Sequence, residues 1–357
     1  MSRNLNELDW SSPILPAVAD REWEATVRKF MGMVPDFMTR VSPNGWLRVM
    51  MLKGVNVKAA EMPGNLMDIA TLVCSQENAC RFCYGIARTQ LKFFGYSDRL
   101  ISNIEQDMLM AELDQKDLTF IRFCRSLARS NPRPSKAELD RLLEFGFSPL
   151  QVTEMAFQVA RQCFVNRVVT FLSPPPMHGL ERLPDSFFGR LFRPIIARIL
   201  RAGGYTGNGS FEVSDNPFAH IMKALTGLPA AVFFQEGIEG AFASTVLSQD
   251  LKVLMFAVVA RSLNCSSCGT ICSNLAQNTG FTVEEYVNAL SALKCTRLND
   301  QEQLLLAWTR ETVHYQTGIM QLRVKELSTQ VDNDRLLEAI GVAALANSIV
   351  RLGILLE

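Results

Sequence analysis

Nine cysteines stand in the 357-residue chain, and five of them fall in two tight groups, Cys80/Cys83 and Cys265/Cys268/Cys272. Residues at i and i+3 of a helix start have Cα atoms roughly 5 Å apart, inside the range that a disulfide bridges. The unpaired N–H groups and partial positive charge of a helix N-terminus favour thiolate over thiol. Such a pair can pass between dithiol and disulfide with little backbone movement. Three other uses compete with that one. A four-cysteine zinc site needs the two groups to meet in space. An iron–sulfur cluster on Cys265, Cys268 and Cys272 would have a spacing found in neither standard ferredoxin run. The third use is inert core. Haem attachment is excluded, because Tyr84 and Gly269 stand where its histidine is required. Cys74, Cys124, Cys163 and Cys295 sit singly in apolar stretches and read as buried small hydrophobes.

Helices must carry these groups. Apolar residues recur at helical spacing along almost every long segment and few runs alternate, so the fold class is all-α. Sliding the chain by 185 positions places Cys80 on Cys265 and Cys83 on Cys268. The same shift matches Val73 with Val258, Ile86 with Ile271, Gly95 with Gly280, Asn103 with Asn288 and Leu113 with Leu298. It also superposes helix starts, Ser97 on Thr282 and Asp114 on Asn299, the last three of which are followed three residues on by an acid. Shared caps mean shared helix boundaries, so the sequence reads as a tandem duplication of one helical unit. Each unit predicts a helix before its cysteines, from about Gly64 or Leu247, and a second opened by them and closed at Gly95 or Gly280. Further helices start at Ser97, Asp114, Ser135 and Ser148 in the first half. The last helix carries Cys163–Arg167 there and Leu345–Asn347 in the second half.

The halves are residues 1–173, which include an N-terminal extension, and 216–357. Between them, 174–215 reads as a linker, from the Pro174–Pro176 run to the glycine-rich stretch Gly203–Gly209. It contains an amphipathic helix: Phe188, Leu191, Phe192, Ile195, Ile196, Ile199 and Leu200 on one side, Arg190, Arg193, Arg198 and Arg201 mostly on the other. A basic face of this kind suits an anionic membrane surface, but packing on a domain or subunit surface is the expectation preferred here.

Thirty-six basic and 36 acidic side chains cancel, so nothing in the overall charge points to nucleic acid. Hydrophobic residues at 48% exclude a largely disordered chain. The opening residues, MSRNLNELDW, lack the apolar run of a signal peptide, and an odd cysteine count argues against a disulfide framework. The apolar stretch Ile340–Leu355 is broken by Asn347 and Arg351. A cytoplasmic location is expected.

An acid, eleven residues and then CxxC at a helix start, within an all-α unit, resembles the alkyl hydroperoxidase D (AhpD) and carboxymuconolactone decarboxylase-like family. Leu113–Asp117, Phe145–Ser148 and the closing Phe164–Arg167 add to the likeness, which covers about residues 20–173 and 216–357. The resemblance implies two AhpD-like domains, a homo-oligomer, and a thiol-dependent peroxidase without cofactor or metal. Its partners would be a small hydroperoxide and a thiol reductant. In the AhpD-like pattern, Glu-x11-Cys-x2-Cys-x3-His, the second cysteine attacks peroxide, the first resolves the sulfenic acid, and glutamate and histidine relay the proton. Carried over, Cys83 and Cys268 attack, Cys80 and Cys265 resolve, and Asp68 is the motif acid. The histidine position holds Ala87 in one half and Cys272 in the other, and the second acid position holds Val253. The chain's histidines, His178, His220 and His314, lie outside both motifs. Neither half has the full relay, so low activity is expected, since losing an oriented base removes about 10²–10⁴-fold in rate.

Arg81 and Arg88 flank the first pair and either lower its thiolate pKa or lie on solvated surface. Glu77 stands as an alternative acid to Asp68, or as helix-end electrostatics. Cys272, one turn beyond Cys268, is an alternative resolving thiol or a core residue. Two other functions fit the resemblance or its departures: lactone decarboxylase chemistry without a redox pair, and a degenerate binding or assembly protein.

Overall fold

A computed structural model describes residues 5, 12–106, 113–202, 204–207 and 211–357. The opening stretch apart from Leu5, and Gly203, Asn208 and Gly209 of the glycine-rich segment, lie outside the described residues. Among the described residues the protein is all-α, with one isolated bridge between Val57 and Tyr205 as its only extended pairing. The first half holds α1 (Arg21–Met31), α2 (Asp36–Val41), α3 (Gly45–Asn56), α4 (Gly64–Glu77), α5 (Arg81–Phe94), α6 (Asp98–Glu105), α7 (Gln115–Arg129), α8 (Lys136–Glu144) and α9 (Pro149–Leu172). The connector holds α10 (His178–Arg182), α11 (Phe187–Leu191) and α12 (Arg193–Ala202). The second half holds α13 (Ala219–Ala224), α14 (Val232–Ala243), α15 (Gln249–Ser262), α16 (Ser266–Asn278), α17 (Val283–Ala292), α18 (Asp300–Glu311), α19 (Thr317–Leu327) and α20 (Asn333–Ile354).

Local chemistry sets most of these boundaries. Ser148 closes a capping box with Gln151, and Pro149 occupies the first helical position of α9, where its missing N–H costs nothing. Thr282 with Glu285 and Asn299 with Glu302 form the same box at α17 and α18. Ser97 and Asp114 cap α6 and α7 through Leu100 N–H and Asp117 N–H. Ser135 stands at the N-cap of α8 without a side-chain bond. Gly95 ends α5 in the left-handed region, whereas Gly280 lies one residue past the C-cap Thr279 of α16. Helix for helix, α4–α9 run 14, 14, 8, 15, 9 and 24 residues, against 14, 13, 10, 12, 11 and 22 for α15–α20. Order and lengths correspond.

The long closing helices α9 and α20 pack along one another at the centre and are buried almost all round. A helix without a polar face has to be buried in this way. Phe157 and Phe164 of α9 meet Phe234 and Phe233 of α14 edge-on at 5.5 and 5.7 Å, and Phe171 meets Trp308 of α18 at 5.4 Å. The apolar interior therefore runs continuously across the middle of the sequence. Among the described residues, α20 alone has the length and hydropathy to cross a membrane, and its apolar window is wholly buried inside the protein.

The connector lies on the surface of the first half, against α5, with Arg193, Ile196 and Ala197 of α12 half-buried and Arg190, Arg198 and Arg201 exposed. Arg193 donates to Phe93 O at 3.3 Å, the Arg201 guanidinium sits 4.7 Å over the Phe94 ring, and Lys92 pairs with Asp185 at 2.9 Å. Phe187, Phe188, Leu191, Phe192, Ile195 and Ile199 face out.

Candidate functional site

Both cysteine groups follow the same local path. The residue before the first cysteine, Ala79 or Asn264, is left-handed, with φ of 48° and 53°. Cys80 N–H donates to Ser75 O and Cys265 N–H to Ala260 O, each at 2.9 Å. That turn makes each first cysteine the N-cap of the next helix, α5 or α16. A left-handed residue with a Cβ costs roughly 1–2 kcal/mol, so the first turn needs support. It comes from the other half, where Tyr315 Oη donates to Asn78 O and Thr317 Oγ1 to Ala79 O, both at 2.7 Å.

In the first group the Cys80 and Cys83 sulfurs are in disulfide contact, with Cα atoms 5.3 Å apart. Cys83 N–H donates to Cys80 Sγ at 3.3 Å, so the helix N-terminus points at sulfur. Both cysteines are buried, Cys80 completely and Cys83 with 9% of its surface exposed, so Cys83 is the less enclosed of the two.

The flanking charges are engaged elsewhere. Arg81, which is buried, donates twice to Glu181 of α10 at 2.7 and 2.8 Å. Gly85 makes room for that carboxylate, since a Cβ there would collide with it. Arg88 donates to Glu105 at 3.0 Å, and Tyr84 Oη donates to the same oxygen at 2.7 Å. Neither arginine is a solvated bystander. Both neutralise carboxylates beside the pair. Glu77 ends α4 and is paired with Arg125 and Arg129 at 2.7 and 2.8 Å.

Asp68 is not brought to either cysteine group. It lies near the start of α4, nine residues or about 13 Å of helix before Glu77. Its neighbours are Tyr96, just past the end of α5, and Arg201 of α12. Burial raises its carboxyl pKa to about 7 although Arg201 pulls it down. The hairpin of α4 and α5 puts Asp68 at one end and the cysteines at the other.

The second group is a cluster of free thiols. Cys265 is 3% exposed, and Cys268 and Cys272 are sealed. Gly353 of α20 lies directly over them: a Cβ there would collide with Cys268 Sγ and stand 3.2 Å from Cys265 Sγ. Hydrogen bonds from Cys268 and Ser267 hold the Cys265 thiol below the usual range. Cys268, bonded to Cys265 and buried, is pushed far up, and burial does the same to Cys272. Thiolate character therefore favours Cys265 over Cys268. Glu357 caps this end of α16 and accepts from Ser267 N–H at 2.7 Å and Ser266 Oγ at 2.9 Å. Those bonds and Cys265 outweigh burial and hold its carboxyl at about 2.

Cys74, Cys124 and Cys163 are buried as expected, while Cys295 is half-buried. Among the described residues no group of histidine, cysteine and acidic side chains is arranged to hold a metal ion. A cleft of about 1080 Å³ opens between the halves, lined by Gln76, Asn78, Glu105, Arg129, His314 and Tyr315 among others. It reaches the turn before Cys80, but neither cysteine group lines it. Burial, with Arg351 and Arg167 nearby, lowers the His314 pKa to about 4.

Glu181, Glu105, Gly353 and Glu357 were not singled out by sequence. Glu181 lies 100 residues from Arg81 and Glu357 lies 90 from Ser267; no local signal links them. The chain matches no family model, no curated protein and no solved structure.

Proposed function

We propose that the protein is a peroxidase-type thiol–disulfide oxidoreductase working at Cys80 and Cys83. The observation that carries this reading is a sulfur pair in disulfide contact at a helix N-terminus. The Cys83 thiolate attacks the outer oxygen of a hydroperoxide, the O–O bond breaks, and the departing alkoxide takes a proton to leave as alcohol. Cys83 is then a sulfenic acid. The Cys80 sulfur attacks it, the S–O bond breaks, and hydroxide leaves as water with the Cys80 proton. Two equivalents of a thiol donor restore the dithiol and leave as their own disulfide.

Assignment to the AhpD-like family, with the two helix series as copies of one unit, rests on the motif spacing and on the matched order of elements. The missing histidine, and the placement of Asp68 at the far end of its hairpin, make turnover slow in this reading. The second group then serves as structure: its thiols are sealed beneath α20, and the electrostatics favour Cys265 rather than Cys268 as thiolate. A cytoplasmic, oligomeric enzyme with a small hydroperoxide as substrate and a thiol reductant as partner completes the proposal.

Thiol counting tests it. The fully reduced protein, treated natively with one equivalent of a hydroperoxide, should lose two titratable thiols per chain. Cys83→Ser should prevent that loss of two. A protein that loses none, or loses two as readily in the variant, has another function.

A further inference from the structure

The connector carries a ridge of large apolar side chains that no described residue of the chain covers. Phe187, Phe188, Leu191, Phe192, Ile195 and Ile199 are between 45% and 75% exposed, and no residue of α12 is buried. Such a contiguous patch on a soluble surface marks an interaction site. The ridge is fixed in this orientation from beneath. Arg81–Glu181 and Lys92–Asp185 pin the segment leading into it, Arg193 reaches Phe93 O, and Arg201 lies over Phe94.

Charge selects the occupant. From Ser186 to Ala202 the sequence carries Arg190, Arg193, Arg198 and Arg201 and no acid, although the whole chain is neutral. Arg190 and Arg198 are exposed beside the apolar side chains. A second copy docking ridge to ridge would be related by a two-fold axis and would bring the arginines toward one another, with no carboxylate on the ridge to answer them. A sheet of anionic phospholipid headgroups answers the arginines and takes the phenylalanine, leucine and isoleucine side chains into its acyl boundary. We infer that α11 and α12 form a preformed docking ridge for an anionic bilayer surface. The proposal is independent of the thiol chemistry.

Co-sedimentation of the full chain with vesicles tests it. With equimolar phosphatidylglycerol and phosphatidylcholine, binding should be at least ten-fold greater than with phosphatidylcholine alone and should weaken as salt is raised. Phe188→Ser with Ile195→Ser should lower it ten-fold or more while the thermal unfolding curve is unchanged. Arg190→Ala with Arg198→Ala should lower it and flatten the salt dependence. Failure of the wild type to bind anionic vesicles, or undiminished binding by the apolar double variant, overturns the proposal. Sedimentation velocity supplies the other outcome: a wild-type oligomer that the same double variant splits, without vesicle binding, makes the ridge a contact between copies.

Discussion

The two cysteine groups share a spacing, a left-handed lead-in residue and a helix cap, yet they present opposite chemistry. At the first, the sulfurs adjoin and Cys83 keeps 9% exposure; at the second, Gly353 lets α20 lie on the sulfurs, Cys265 keeps 3%, and Cys268 and Cys272 are sealed. A motif prescribes which atoms can meet. What lies over them decides whether anything else can reach them.

The largest effect should be in reactivity. After full reduction, native alkylation with iodoacetamide should modify Cys83 at least 100-fold faster than Cys268 or Cys272, read by peptide mass spectrometry. Equal rates would erase the distinction between the groups. A second contrast concerns the lid itself. Gly353→Ala should destabilise the fold by about 1–3 kcal/mol, because a Cβ there overpacks the sulfurs. Gly269→Ala, on the same helix as the thiols but with open space at its Cβ, should be neutral or stabilising by up to about 1 kcal/mol. Urea unfolding of both variants gives the comparison, and an undisturbed Gly353→Ala protein would mean that α20 does not seal the cluster.

A third, pH-dependent effect separates the hairpin end from the cleft. The Asp68 carboxyl is raised to about 7, so the native state holds a proton that the unfolded chain releases. Its contribution makes stability fall as pH rises from about 4 to 7, by on the order of 4 kcal/mol. His314 is lowered to about 4, so the native state resists a proton that the unfolded chain takes up. Its contribution makes stability fall as pH is lowered from about 6.5 toward 4. Asp68→Asn should therefore leave stability rising with pH over that interval, and His314→Gln should do the reverse. Melting temperatures across the range check both signs. An Asp68→Asn profile parallel to the wild type would place that carboxyl in ordinary solvent.

Helix starts were the most legible feature, because a cap acts on an N–H two or three residues away. Ser97, Asp114, Ser148, Thr282 and Asn299 all cap the helices their spacing predicts. The juxtaposition of Cys80 and Cys83 was legible for the same reason, since one helical turn separates them. The environment of the arginines was not, because Glu181 and Glu105 reach them from other elements. The connector's helical, amphipathic character was legible too, but which of its side chains stay uncovered was not, because a pattern within one helix carries no information about what its neighbour will accept.

Composition, periodicity and caps by themselves determined an all-α chain, the places where its helices begin, and two sulfur groups set at helix N-termini. These are short-range consequences of backbone hydrogen bonding and of the 3.6-residue repeat. Only the tertiary structure decided that α20 lies over one group and not the other, that Asp68 sits a hairpin's length from the cysteines, and that the connector leaves Phe187, Phe188, Leu191, Phe192, Ile195 and Ile199 exposed. Each of those depends on packing between segments far apart in the chain, where exposure and pKa are set by neighbours that no local spacing names.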